Sequence, residues 1–254
     1  MGFLHEMVGE EFSIQPVHLT NPDAAALKVM VRDLVKLQKE ITRRRNQLQQ
    51  VVAVTFPELK TFFKDSTASK AARALLDRFP SPKDLSEADP QEVAQVLRAA
   101  HANRHLKRVD ELLALAKQSA GLPATSHHQW RQGWIIQQLP MLEAAREELV
   151  AHLRQAIALH PYTPLIESLP VKSPIWTATL IAAIGNADRF RNYAQFKAYL
   201  GWYPKTAKSG TSVNKTGLAH SGVRLTRNVL SQMATMLITP HMRTTPLREF
   251  YERH

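Results

Sequence analysis

The chain has 254 residues, no cysteine, and 33 Lys and Arg against 22 Asp and Glu, for a formal charge of +11. That length allows one or two domains with a real core, and the lack of cysteine excludes disulfides and thiolate metal sites and points to a reducing, cytoplasmic setting. No apolar run approaches the ~18 residues of a membrane span, and the basic balance indicates a polyanionic partner, nucleic acid first, because each phosphate neutralised releases counterions.

In chain order, Met1–Phe12 carries Glu6, Glu10 and Glu11 where a secretory signal would have a basic head and an apolar run. Nine glycines, most of them in the last third or at the first residues, are too few to punctuate a strand-and-turn architecture. The fold class expected is therefore all-α, or mainly α. Thr20-Asn21-Pro22-Asp23 is a helix start signal. After it, Leu27, Leu34, Ile41 and Leu48 recur every seven residues, with Met30, Leu37 and Val51 in the second seam position and Arg44 interrupting it. This pattern predicts about four heptads of coiled coil, with an ordinary long helix packed on its own domain as the other reading.

A second long helix is expected from about Trp130 to Leu159, its face marked by Ile135, Leu139, Leu142, Leu149, Leu153 and Ile157 and kinked at Pro140. Shorter helices are predicted around Lys70–Phe79, Pro90–Ala102 and Leu106–Ala120, separated by Pro80-Ser81-Pro82 and Gly121-Leu122-Pro123. The simplest assembly is an antiparallel coiled-coil arm with a helical insertion over residues 23–165. Arms of this sort promote self-association, here as a dimer or tetramer. His101 and His105 stand four apart on an expected helix, a zinc-like spacing without a third ligand, so no metal site is assigned. Trp130 and Trp134 share a helical face and read as core in preference to a base-stacking platform.

Residues 166–254 are expected to form a compact helical domain. Helices are predicted at Trp176–Ile184, Tyr193–Leu200 and Leu225–Ile238, with a serine loop from Gly201 to Gly222 between the last two. Gly201, Pro204 and Gly210 punctuate that loop and hold Ser209 at a defined place. Lys205 and Lys208 precede the serine; Lys215, Arg224 and Arg227 follow it, and from Lys197 to Arg227 there is no Asp or Glu. Such cations can bind a phosphodiester backbone or stabilise an attacking alkoxide and a pentavalent phosphate. On composition alone, a phosphate contact, a solvated serine and a nucleophile all remain open for Ser209.

Gly-x2-Pro-x4-Ser-Gly, present at Gly201, Pro204, Ser209 and Gly210, resembles the signature of the IS110/IS1111 (IS116/IS110/IS902) transposases, relatives of the Piv-type DNA invertases. The four fixed residues would match by chance in about one chain of this size in two hundred. Leu180–Asn186 with Arg189-Phe190, Phe196–Leu200, Gly210–Ser212 and Pro246–Tyr251 are similar to the same family, so the resemblance covers Ile166 to the C-terminus and the preceding region in pattern. It implies transposition of a mobile insertion sequence by DNA recombination, the motif serine, here Ser209, becoming covalently joined to a DNA phosphate. It also implies a structured guide RNA, dimers and tetramers, and an N-terminal RuvC-like domain whose acidic residues hold Mg²⁺. The setting implied is the bacterial cytoplasm, at the nucleoid.

Two departures shape the expectation. Residues 1–22 look like a remnant or linker following such a RuvC-like domain, so the chain resembles an N-terminally truncated transposase or an internal-start product. It is expected to have no cofactor of its own, and to be inactive alone or to act as a non-catalytic nucleic-acid-binding and oligomerisation fragment or regulator. The family often has glycine in a helix-hairpin-helix turn where this chain has Val171 and Lys172. Lys172 then supplies a side-chain contact to nucleic acid, or the segment is a plain turn between helices.

Overall fold

The computed structural model describes residues 22–64, 68–169, 171–209, 212–218, 223–239 and 246–253, the two strands by their backbone. The helices are α1 (Pro22–Thr55), α2 (Glu58–Phe62), α3 (Lys70–Arg78), α4 (Pro82–Ser86), α5 (Pro90–Ala99), α6 (Val109–Lys117) and α7 (Ser126–Ala158). They continue with α8 (Thr163–Glu167), α9 (Pro174–Ile184) and α10 (Tyr193–Leu200); after strands β1 (Pro204–Ser209) and β2 (Ser212–Leu218) come α11 (Arg224–Ile238) and α12 (Pro246–Arg253). The protein is mainly α, as the scarcity of glycine implied. Residues 1–21, including Glu6, Glu10 and Glu11, and Gly210 lie outside the described residues.

Two compact units divide the chain: Arg32–His152, and Met1–Val31 with Leu153–His254. The boundaries expected at 23 and 166 both fall within the second of these.

In the unit Arg32–His152, the two long helices run antiparallel. Arg146 Nε donates to Gln38 Oε1 at 2.8 Å, Arg45 Nη2 to Glu143 Oε1 at 2.6 Å, and the Leu122 N–H to the Val54 carbonyl at 2.9 Å, so partners descend as α1 ascends. The heptad leads Leu34, Ile41 and Leu48 are buried, as is Leu27 in the other unit. Of their companions Val51 is buried, while Met30, Leu37 and Arg44 are half-buried. On α7, Ile135 and Leu139 are wholly buried, and the helix continues through an exposed Pro140.

The inserted helices start where short polar side chains can take up free backbone N–H groups. Ser69 accepts from the Ala72 N–H, Ser81 and Asp84 form a reciprocal capping box ahead of Pro82, and Asp89 accepts from the Gln91 N–H ahead of Pro90. Their buried faces (Leu75, Leu85, Val93, Leu97, Leu112) join Phe62, Leu48 and Leu139 in one core. Gly121 closes the way back to α7: a Cβ there would stand 2.1 Å from the Thr55 carbonyl oxygen.

One carboxylate inside this unit is held by two cations. Glu143 accepts from Arg45 and, at 2.8 Å, from Arg73, whose side chain is only 7% exposed. Burial would raise the Glu143 carboxyl, but the hydrogen bonds and charges of the two guanidinium groups keep it below the usual range.

The histidine pair departs from expectation. Helix α5 ends at Ala99, His101 takes a positive φ of 54° in the turn beyond, and His105 sits in a 3-10 turn, so the two do not share a helix. His105 is buried against Phe62 and Phe63, ring centroids 5.4 and 5.1 Å away. The tryptophans depart too: Trp130 is 63% and Trp134 38% exposed, so neither belongs to the core.

Candidate functional site

The elements that place the motif belong to the unit containing Leu153–His254. Helix α9 packs against α8 and α11, and α11 against α10 and α12. Ala178 and Ile181 on α9, Leu200 at the end of α10, and Val229, Met233 and Leu237 on one stripe of α11 are buried. Asn192 starts α10 by accepting from the Gln195 N–H at 3.0 Å.

Gly201 ends α10 in the left-handed region, φ 77°. Its N–H bonds the Ala198 carbonyl and the Trp202 N–H bonds the Lys197 carbonyl, both at 2.9 Å, which is a Schellman closure requiring a residue without Cβ strain. Pro204 opens β1, the strand position where a missing N–H costs least. Ser209 is the last residue of β1 and pairs with Ser212 on β2. The motif spacing is thus the punctuation of the backbone: a helix stop, a strand start and the tip of a hairpin.

The segment read as a serine loop is an antiparallel hairpin, with Pro204 opposite Leu218, Lys205 opposite Gly217, Thr206 opposite Thr216 and Ala207 opposite Lys215. Between Ala207/Lys215 and Ser209/Ser212, β1 advances through Lys208 alone and β2 through Val213 and Asn214, a β-bulge next to the serine. The signal was present in the sequence. Thr206, Val213 and Thr216 favour extended backbone, and two short runs separated by two residues, one of them glycine, mark a hairpin.

The candidate cations distribute over three places. Lys205, Lys208 and Lys215 lie in the hairpin, Arg224 and Arg227 in the first turn of α11, and Lys172 in the connection before α9. Arg224 and Lys172 are exposed and Arg227 is half-buried. Along the chain, residues 219–223 join the hairpin to α11. Val171, standing where glycine was expected, is buried as an apolar anchor, so this connection holds its place by packing.

From Arg189 to Arg248 the sequence contains no acidic residue. Arg189 is held without one: its Nη2 donates to the Ala183 carbonyl at 2.9 Å and its guanidinium lies over the rings of Phe190 and Tyr199 at 4.5 and 4.3 Å, while its buried Nε has no hydrogen-bond partner among the described residues. The Arg189-Phe190 pair, in sequence only a family likeness, seats α10, with Phe196 against Phe190 at 5.2 Å and Tyr199 against both. Among the described residues, no three of His, Cys, Asp and Glu converge to hold a metal, so these residues do not fit an Mg²⁺ site. None of the described helices is long and apolar enough to cross a membrane.

The class these elements define is a helical unit that presents a serine-tipped hairpin within a cationic, acid-free stretch. Residues 163–252 match the family described as Transposase IS116/IS110/IS902 family. The likeness to that family lies in this C-terminal segment. The chain is similar to the "Insertion element IS110 uncharacterized 43.6 kDa protein" of Streptomyces coelicolor, 25% identical over 95% of this chain and 59% of that protein. It is also similar to the "Insertion element IS116 uncharacterized 44.8 kDa protein" of Streptomyces clavuligerus, 21% identical over 89% of this chain and 56% of that protein. The chain thus spans little more than half the length of these relatives.

Proposed function

We propose that this chain serves DNA transposition as the serine-bearing part of an IS110-type recombinase, with Ser209 as its nucleophile. The observation that supports this most is the placement of Ser209 at the tip of a bulged hairpin, in a stretch without acids, within the family match. The Ser209 Oγ attacks a DNA phosphorus, an Oγ–P bond forms, and one ester bond from that phosphorus to deoxyribose breaks. The serine proton ends on the released deoxyribose hydroxyl. The phosphoserine ester conserves the energy of the bond broken, so attack by another DNA hydroxyl rejoins strands and frees the serine. Lys205, Lys208, Lys215, Arg224, Arg227 and Lys172 hold the phosphate backbone of DNA or of a guide RNA. The helical arm of residues 23–165 supports self-association as a dimer or tetramer, and the setting is the bacterial nucleoid.

The Mg²⁺ implied by the resemblance is assigned to the acids of a RuvC-like domain beyond the described residues, and no step here is routed through it. The experiment is covalent capture of labelled junction DNA on a denaturing gel, with that domain supplied by a full-length relative. An adduct is expected that Ser209→Ala abolishes, while DNA affinity of the folded chain changes by less than about threefold. An adduct that survives Ser209→Ala removes the nucleophile assignment; capture by this chain alone removes the assignment of the acids elsewhere. Binding and self-association with no adduct in any combination leaves the non-catalytic nucleic-acid-binding fragment as the function.

A further inference from the structure

On α7, three rings stand one helical turn apart in near-parallel array. His127 and Trp130 lie with centroids 5.9 Å apart and planes 24° apart; Trp130 and Trp134 follow at 6.1 Å and 10°. The guanidinium of Arg44 closes the row, 4.6 Å over the Trp134 ring. Arg44 is itself held from the other side, by Gln47 at 3.0 Å and Glu40 at 2.8 Å. The row is preorganised, yet Trp130 and Trp134 remain 63% and 38% exposed. Large rings aligned by their neighbours and left to solvent contribute little to the core of this unit.

The surroundings select the partner. From Leu112 to Leu142 the chain has no acidic residue, and from Ile41 to Thr55 there is none either, while Arg43, Arg44, Arg45, Arg131 and Lys117 lie in these stretches. Glu40 is occupied by Arg44 and Arg43. Gly133, between the two tryptophans, has nothing within 4 Å of where a Cβ would stand. A glycine that packing does not require, in mid-helix where alanine is preferred, leaves the flank of the row open. A second copy of this chain, also at +11, would bring like charge to the same face.

We infer that His127, Trp130 and Trp134, backed by Arg44, form a stacking platform for unpaired bases of single-stranded nucleic acid, with the nearby arginines following its phosphates. Aromatic faces accept any base, so the platform reads strandedness and not sequence. Duplex DNA, whose base faces are already covered, is not its ligand. The platform lies in the unit Arg32–His152 and its test does not depend on the role of Ser209.

The test is titration of the full chain with short oligothymidylate and oligouridylate, and with a duplex of the same length, read by tryptophan fluorescence and by anisotropy of a labelled strand. The single strands are expected to quench fluorescence, and Trp130→Ala with Trp134→Ala to weaken them by on the order of tenfold while duplex binding holds. The paired Trp→Phe variant is expected to retain most of the affinity. Unchanged single-strand affinity in the alanine variant overturns the inference. So does an equal loss for duplex, a fall in thermal midpoint that accounts for the loss, or a loss of self-association with strand binding intact, which would show a second copy covering the rings. Thymidylate against uridylate distinguishes a DNA ligand from an RNA one.

Discussion

The units Arg32–His152 and Leu153–His254 treat charge in opposite ways. In the first, cations are matched by acids: Arg45 and Arg73 by Glu143, Arg78 by Glu92, Arg108 by Glu111, Arg44 by Glu40 and Lys36 by Asp33. In the second, sixty residues pass without an acid, from Arg189 to Arg248, and Arg189 is held by a carbonyl and two rings. Pairing a partly buried cation with a carboxylate fastens helices to one another, as Glu143 does for α1, α3 and α7. A stretch of sixty residues without acids concentrates positive charge along the chain, which raises the local positive potential. The exposed ring row on α7 differs from the rest of the first unit in that the chain from Leu112 to Leu142 carries no acid, the Arg44 beside it being paired from its own helix by Glu40.

The contrast is sharpest between a core residue of the first unit and the lysines of the second. Leu139→Ala, at a wholly buried position, is expected to cost about 3 kcal/mol of unfolding free energy by urea titration, with DNA affinity of the folded molecule intact. Replacing Lys205, Lys208 and Lys215 together by Gln is expected to do the reverse. Stability should hold within about 0.5 kcal/mol, and the slope of log affinity against log salt should fall by roughly 2.7. A triple variant that unfolds, or an unchanged slope, would erase the distinction between the two units. Gly201→Ala comes next: a Cβ at φ 77° costs about 1–2 kcal/mol. Amide exchange should show that loss at the end of α10 and in the hairpin, not in the unit Arg32–His152.

The smallest effect is one of pH, confined to the first unit. Burial, with the charges of Arg104, Arg108 and Lys64, lowers the His105 pKa. Its neutral ring accepts from Arg104 Nε at 3.0 Å. The unfolded chain therefore binds this proton first, and stability begins to fall as pH drops below about 6.5. The Glu143 carboxyl is lowered in the fold, so its contribution is complete above about pH 4.3 and is lost as pH falls through its folded value. Urea midpoints measured against pH should decline in those two windows. His105→Phe should flatten the upper one and Glu143→Gln the lower; a decline that neither variant alters would place the titrating groups elsewhere.

Much of the fold was legible because it depends on local rules. Tyr193–Leu200 was predicted with its observed bounds, since Asn192 caps it and Gly201 ends it within the chain's own neighbourhood. The starts after Ser69 and Asp89 follow from side chains two or three residues from the N–H groups they accept from, whereas Ser81, read as part of a break, caps the further short helix α4. The hairpin was missed because glycine and proline were read as marks of a loop, although the strand formers between them pair across a two-residue connection. His101 and His105 were misplaced because a turn with positive φ interrupts the helix that their spacing suggested.

What the sequence determined alone is periodicity, punctuation and charge: two long helices with apolar faces, a glycine that stops the helix before the motif, and a long stretch without acids. These follow from backbone sterics and side-chain type, which each residue carries with it. What only the tertiary structure decided is coverage. Trp130 and Trp134 sit on a helical face that reads as core, yet among the described residues no other element lies over enough of them to exclude water, and Arg44 reaches Trp134 from a helix some ninety residues earlier. Burial is a property of what lies opposite, and one helix cannot specify that by its own pattern.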